Sequence, residues 1–375
     1  MPMPGRRYFE AVTATGVLLL TLLAAACGGS DSTSGGADDD SSAPFAAAVE
    51  GVSIPPGEAV SVQWADTARL REAAGLSESA EDAVGDERWQ VPVGYAFGDQ
   101  IATQYFAVDF GFNPVAGERT LGLGVAPKRA TLYEGVDTDA AREAFADLGF
   151  EDEGEFLASG EEGSVGLDPG NADASGALIG INRVGTEGED LAIGAYEAPV
   201  AAALGREGDP LADVDGIAAT ADCLGPEALA AQVDEPQDGA AADAVALQAV
   251  GISEPDESDV VPEVVCAVGA PGESLDDVAA CMDASFNDGG VDPVTNRAYE
   301  DELGPAQMAD GEAGGSSWVR ATFEPPAKDP VGRVFDLALR SALAGPLGGD
   351  PLAAVGASAT PQKLKELQQQ IPDAC

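Results

Sequence analysis

Histidine is absent from this 375-residue chain. The absence removes Ser-His-Asp and Cys-His catalysis, histidine-ligated zinc and histidine-based pH sensing together. Basic residues are scarce as well: 18 lysines and arginines stand against 66 aspartates and glutamates, for a formal charge of −48. Such a surface repels nucleic acid and anionic lipid head groups, so neither is an expected partner. No GxxxxGK phosphate loop and no SxxK pattern occurs. Gly122-Leu-Gly124-Val-Ala-Pro127 puts proline where a dinucleotide loop would need glycine. No cofactor is expected. After residue 27 the chain has no apolar run of membrane-spanning length.

What is present begins at the N-terminus. Arg6 and Arg7 precede sixteen uncharged residues, Ala11 to Ala26, with a dense apolar run from Val17 and a close in small residues. A spanning helix needs about 20 apolar residues, so this stretch is short and fits an export signal. Leu23-Ala-Ala-Ala-Cys27-Gly-Gly resembles the lipobox of bacterial lipoproteins, with Ala24 where that family usually has leucine. The resemblance implies cleavage before Cys27 and acylation of that cysteine with a diacylglyceryl group carrying palmitate-type chains. Two chains meet the requirement for stable anchoring, at about 0.8 kcal/mol per buried methylene. Arg6-Arg7-Tyr8-Phe9 also resembles a twin-arginine signal, with Glu10 in place of an apolar residue; two arginines serve the general export route equally well. Residues 28–44 have almost nothing to bury and are expected to form a disordered tether, about 23 Å long on average and about 60 Å at full stretch. The expected organisation is a signal peptide at 1–26, the lipidated cysteine and tether at 27–44, and two subdomains at 45–205 and 206–375. The folded part would sit at the extracytoplasmic face of a cell membrane, attached through the lipid.

Cysteine usage agrees with export. Besides Cys27 there are Cys223, Cys266, Cys281 and Cys375, with no CxxC pair. In an oxidising compartment these read as two disulfides with three possible connectivities. Cys266 lies near the end of a strand-like run and Cys281 two turns into the following helix. A tight return would set them opposite each other, so Cys266–Cys281 is favoured and Cys223–Cys375 follows by elimination.

The pattern along the chain is α+β, with mostly antiparallel sheets and helices packed on one face. Val60, Val62 and Trp64 alternate as a strand, and Asp66 or Thr67 can cap a helix that stops at Gly75. Residues 89–134 read as β-rich. Within them Tyr95, Phe97, Tyr105, Phe106, Phe110 and Phe112 read as a hairpin packed on the core rather than an exposed aromatic face for a sugar or peptide. Asp137 caps a helix that ends at Gly149. Strands follow at 177–184 and 190–197, then a short helix from Pro199, a helix at 213–224, and another opened by Gly225-Pro226. Strands at 243–252 and 262–268 lead to a helix from Ser274, a long loop at 287–315, a strand at 318–323, a helix opened by Asp329-Pro330 and a last helix at 361–370. Residues 191–205 and 319–345 share a strand, a proline turn and an apolar helix. That points either to a duplicated ββαβα unit or to chance resemblance.

Candidate sites are few. Asn171, Asp173 and Ser175, with Gly176 after them, match part of a calcium-loop spacing. Asn171 and Asn182 stand where carboxylates belong, so a polar turn feeding a strand is the plainer reading. The loop with Asn287, Asp288, Asp292, Asn296 and Asp301 is oxygen-rich in the same way. A carboxylate pair could run glycoside hydrolysis, but 66 acidic residues single out none. The layout from Cys27 through Cys223-Leu-Gly225, Glu263-Val-Val-Cys266, Asp292-Pro-Val-Thr295 and Trp318-Val-Arg320 resembles that of uncharacterised secreted bacterial lipoproteins, which bring no established activity. The expectation is a non-enzymatic, lipid-anchored envelope protein that binds an envelope protein or a small ligand. The alternatives are a solute-binding lipoprotein of a transporter and a calcium-dependent envelope module.

Overall fold

A computed structural model describes residues 43–77, 87–98, 110–164, 181–236, 244–292, 295 and 297–339. All of them belong to one compact unit, Ser41–Cys375. The candidates Cys27, Asn171, Asp173, Ser175 and Cys375, and the helix expected at 361–370, lie outside the described residues.

In chain order the elements are α1 (Pro44–Val49), β1 (Ser53–Ile54), β2 (Ser61–Asp66), α2 (Thr67–Ala73), α3 (Gln90–Ala96), β3 (Arg119–Leu123), β4 (Ala130–Glu134), α4 (Thr138–Asp147), β5 (Glu151–Asp152), β6 (Phe156–Ala158), β7 (Arg183–Glu187), β8 (Asp190–Gly194) and α5 (Glu197–Ala203). They continue with β9 (Asp209–Pro210), α6 (Ile217–Leu224), β10 (Ala228–Asp234), β11 (Val245–Ser253), β12 (Glu263–Gly269), α7 (Asp276–Asn287), α8 (Tyr299–Leu303), β13 (Gln307–Ala313), β14 (Ser316–Phe323) and α9 (Arg333–Leu339). Local chemistry explains many of the boundaries. Asp66 accepts the Arg69 N–H at the start of α2, and Asp137 accepts the Ala140 N–H at the start of α4. Gly75 and Gly149, at φ +63° and +93°, close the two helices in the left-handed conformation that glycine adopts without strain.

Among the described residues twelve strands form one sheet in the order β13-β14-β12-β11-β10-β2-β3-β4-β8-β7-β6-β5, antiparallel throughout, and β1 and β9 pair separately. The fold is therefore α+β around a large antiparallel sheet. The helices, expected on one face, cover both. Strand alternation sends Val62, Trp64, Val264, Cys266 and Val268 to one face, where Phe45 of α1, Val200 of α5 and Ile217 of α6 cover them. It sends Ala65, Val265, Ala267, Val319 and Ala321 to the other, under α2, α3, α4, α7, α8 and α9. Each face thus has its own apolar core, and the strands between them are buried on both sides.

The two halves share a topology. Strands β2-β3-β4-β8-β7 and β10-β11-β12-β14-β13 have the same spatial order, and each half inserts a helix, α4 or α7, after its third strand. The halves join through β2 and β10, with Val62 opposite Val233 and Trp64 opposite Ala231, so the sheet runs unbroken across residue 205. The strands β8 and β14 that the sequence comparison aligned do occupy equivalent places. The helices after them do not: α5 packs on the face of Trp64, whereas α9 packs on the opposite face against β11 and β12. There Phe335 of α9 packs at a tilt against Tyr95 of α3, ring centroids 4.2 Å apart.

Three local readings change. Residues 87–96 are helical, because Trp89, Pro92, Val93 and Ala96 are buried at helical rather than strand spacing. Tyr95, Phe97, Phe110 and Phe112 are core residues as expected, but Tyr95 reaches the core from a helix; Tyr105 and Phe106 lie outside the described residues. Gly225-Pro226 leads into strand β10, not a helix, since Ala228, Ala230 and Ala231 pair with β11 or β2. The stretch at 287–315 holds α8 and β13. Its hairpin to β14 closes on Gly314-Gly315, both at positive φ (+59° and +82°), as a two-residue type I′ turn requires.

Within that hairpin Gly311 lies under the Trp318 ring, and a Cβ there would run into the indole. Gly311→Ala is expected to displace Trp318 and cost about 1–3 kcal/mol, read from the denaturant midpoint. An unchanged midpoint would show that the indole moves freely.

Candidate functional site

The disulfide sits in the core rather than at a surface. Cys223 of α6 and Cys266 of β12 are bonded, with Cα atoms 6.3 Å apart and both residues fully buried. This overturns the favoured Cys266–Cys281 pairing, and Cys223–Cys375 with it. The reason is the period of two along β12. Cys266 points to the same face as Val264 and Val268, which α6 covers, whereas α7 and Cys281 lie over the opposite face. Cys281 is disulfide-bonded as well. Beside the bridge, Arg320 donates to the Cys223 carbonyl at 3.1 Å, and the Trp318 indole donates to Asp222 at 2.7 Å.

Glu263, at the start of β12, is a fully buried carboxyl. It accepts the Gly332 N–H at 2.8 Å and the Val334 N–H at 2.9 Å, and so caps α9 from a strand 69 and 71 residues away. Burial raises its pKa from the ordinary glutamate value of 4.5, and the amide donors and Arg333 pull it back. These donors commit it to holding the helix end.

The polar residues at mid-sheet are likewise spent on one another. Tyr95 donates to Gln232 at 2.7 Å, Gln232 donates to Asp234 at 2.7 Å, and Ser61 donates to the other Asp234 oxygen at 2.7 Å. Among the described residues no group of three or more Asp, Glu or Cys is placed to hold a metal. In the 287–302 loop, Asn287 binds Asp283 and the backbone of Ala306, and the Thr295 hydroxyl lies within hydrogen-bond distance of both Asp292 and Glu302. Asn296 lies outside the described residues.

Arg69 gathers acids at the surface. It donates to Glu254 at 2.8 Å and lies 3.6 Å from Glu227. Its hydrogen bond holds the Glu254 carboxyl below the usual value of 4.5. A depressed folded-state pKa contributes stability that is present above pH 4.5 and lost as the pH falls through the lower folded value. Arg69→Met should therefore be less stable than the parent near neutrality, with the difference closing in acid; a gap of constant size from pH 7 to pH 3 would contradict this.

One concave feature among the described residues is a groove of about 300 Å³ between α7 and β13, lined by Ala279, Ala280, Asp283, Met308, Ala309, Asp310 and Val319. Strand β13 ends the sheet, and its Gln307, Asp310 and Glu312 are exposed. Residues 276–292 and 307–313 include no lysine or arginine, so both walls are anionic or neutral. The groove has an apolar floor, two carboxylates and one unextended β edge. It can seat a strand; it assembles no nucleophile and base. The sequence reading missed it because β13 has no apolar alternation. The available signal was the Gly314-Gly315 pair before an alternating strand.

No helix of the described residues is long and apolar enough to cross a membrane. Comparison with protein-family models, with curated proteins and with solved structures finds no match for this chain.

Proposed function

We propose that the protein is a lipid-anchored, extracytoplasmic envelope protein that acts by binding rather than by catalysis. The observation that carries this reading is the buried Cys223–Cys266 bridge, which persists in oxidising compartments and is rare where glutathione keeps thiols reduced. The bonded state of Cys281 supports the same location, and the Cys27 lipobox supplies the attachment. The edge groove offers a place for a partner and no catalytic constellation. A solute-binding lipoprotein would call for two α/β lobes hinged about a cleft; a sheet continuous through both halves speaks for the simpler binding role.

The test is fractionation of cells producing the full chain, with mass spectrometry of the product. Recovery with membranes and a mature N-terminal Cys27 bearing acyl chains is expected. A bare Cys27 on a cytosolic protein, or robust hydrolytic turnover by the purified protein, would overturn the proposal.

A further inference from the structure

We infer that the groove between α7 and β13 receives an extended, arginine- or lysine-bearing segment of a partner protein, added as a thirteenth strand to the main sheet. This rests on the binding role proposed above and names the partner's chemistry.

The backbone argument comes first. β13 is seven residues long and lies at the end of the sheet, and among the described residues no hydrogen bond extends the sheet beyond it. An exposed edge of that length is a template for strand addition, and proteins usually block such edges with very short strands, bulges or lysines. The other edge, β5, follows that habit with two residues. β13 pairs with β14 in regular register from Gln307–Thr322 to Ala313–Ser316, without a bulge.

Charge then selects the occupant. Asp310 and Glu312 stand on the strand, Asp283 lines the α7 wall, and Asp276 and Asp277 lie in the helix's first turn. A second copy is disfavoured, because pairing β13 with itself brings these acids against their own kind within a molecule already at −48. Nucleic acid is excluded by the same sign. A cationic strand satisfies both the open backbone and the carboxylates, with the half-buried Met308 beside it for an apolar side chain. The acidic edge thus resists self-association and admits an oppositely charged partner.

The test uses the full chain in detergent and a fluorescent heptapeptide, Arg-Val-Arg-Val-Arg-Val-Arg, followed by anisotropy. Saturable binding that weakens with salt is expected. Two controls separate strand addition from adhesion to an anionic surface. N-methylating alternate peptide amides keeps the charge and removes the pairing, and should weaken binding at least tenfold. The variant Asp310→Lys with Glu312→Lys should do the same, whereas Asp256→Lys with Glu257→Lys, away from the groove, should not. Equal affinity for the N-methylated peptide, indifference to the β13 variant, or no binding at all would overturn the inference. An acylated, membrane-bound chain that binds no peptide would sink the groove assignment and leave the envelope location standing; a cytosolic chain with bare Cys27 would do the reverse.

Discussion

Replacing Cys223 and Cys266 together by alanine is expected to lower the unfolding free energy by about 4 kcal/mol. The bridge spans 43 residues of sequence, and closing a loop of that size removes about 4 kcal/mol of chain entropy from the unfolded state. Domains typically hold only about 5–15 kcal/mol in total, so the loss would be plain in a denaturant titration. The double variant is the cleaner test, because a reductant would also open the bond at Cys281. Both side chains are fully buried, so alanine adds a small cavity and leaves no polar atom exposed to the core. The cross-link ties α6 to β12, which are joined in sequence only through β10 and β11. Non-reducing peptide mapping should recover Cys223 linked to Cys266. A Cys266–Cys281 peptide, or a variant as stable as the parent, would contradict the assignment.

Glu263→Ala should cost a similar amount, about 3–5 kcal/mol, by a different mechanism. Removing the carboxyl strands the Gly332 and Val334 amides in a buried helix end, at about 1–3 kcal/mol each, and leaves a cavity behind. Glu263→Gln separates the two contributions. It keeps the volume and one acceptor, and should lose roughly half as much. The sign of the pH dependence follows from burial, which holds this carboxyl above its ordinary 4.5. A raised folded-state pKa gives a contribution that is fully present below pH 4.5 and declines as the pH rises through the folded value. The parent's stability should therefore gain, relative to Glu263→Gln, as the medium is acidified through that window. Selective fraying of α9 in hydrogen exchange would accompany the alanine variant. Unchanged exchange at residues 333–339 would show that Glu263 does not hold the helix.

Legibility of the fold tracks the range of the interaction. The cap at Asp137, the stops at Gly75 and Gly149, and the alternation through Val62 and Trp64 depend on neighbours within four residues and stand where the sequence placed them, and Asp66 is the one of its two cap candidates, Asp66 and Thr67, that caps α2. At Trp89–Ala96 a short apolar run suited strand and helix alike, and only its packing against the core selected the helix. β13 was opaque because an edge strand with exposed Asp310 and Glu312 buries too little to show a period. Glu263 was opaque for the opposite reason: its partners are about seventy residues away, and no local pattern encodes them.

The sequence by itself determined the character of the molecule: strongly acidic, histidine-free, and built from alternating strands and capped helices that amount to an α+β fold. Only the tertiary structure decided which face each helix took, and hence that Cys266 meets Cys223 rather than Cys281, that α5 and α9 part company after equivalent strands, and that β13 is left open beside α7. The physical reason is that alternation tells a strand it has two faces without saying which helix will cover either. That choice is made by how well side chains from distant segments fill the same space, and one chain's local pattern carries no record of it.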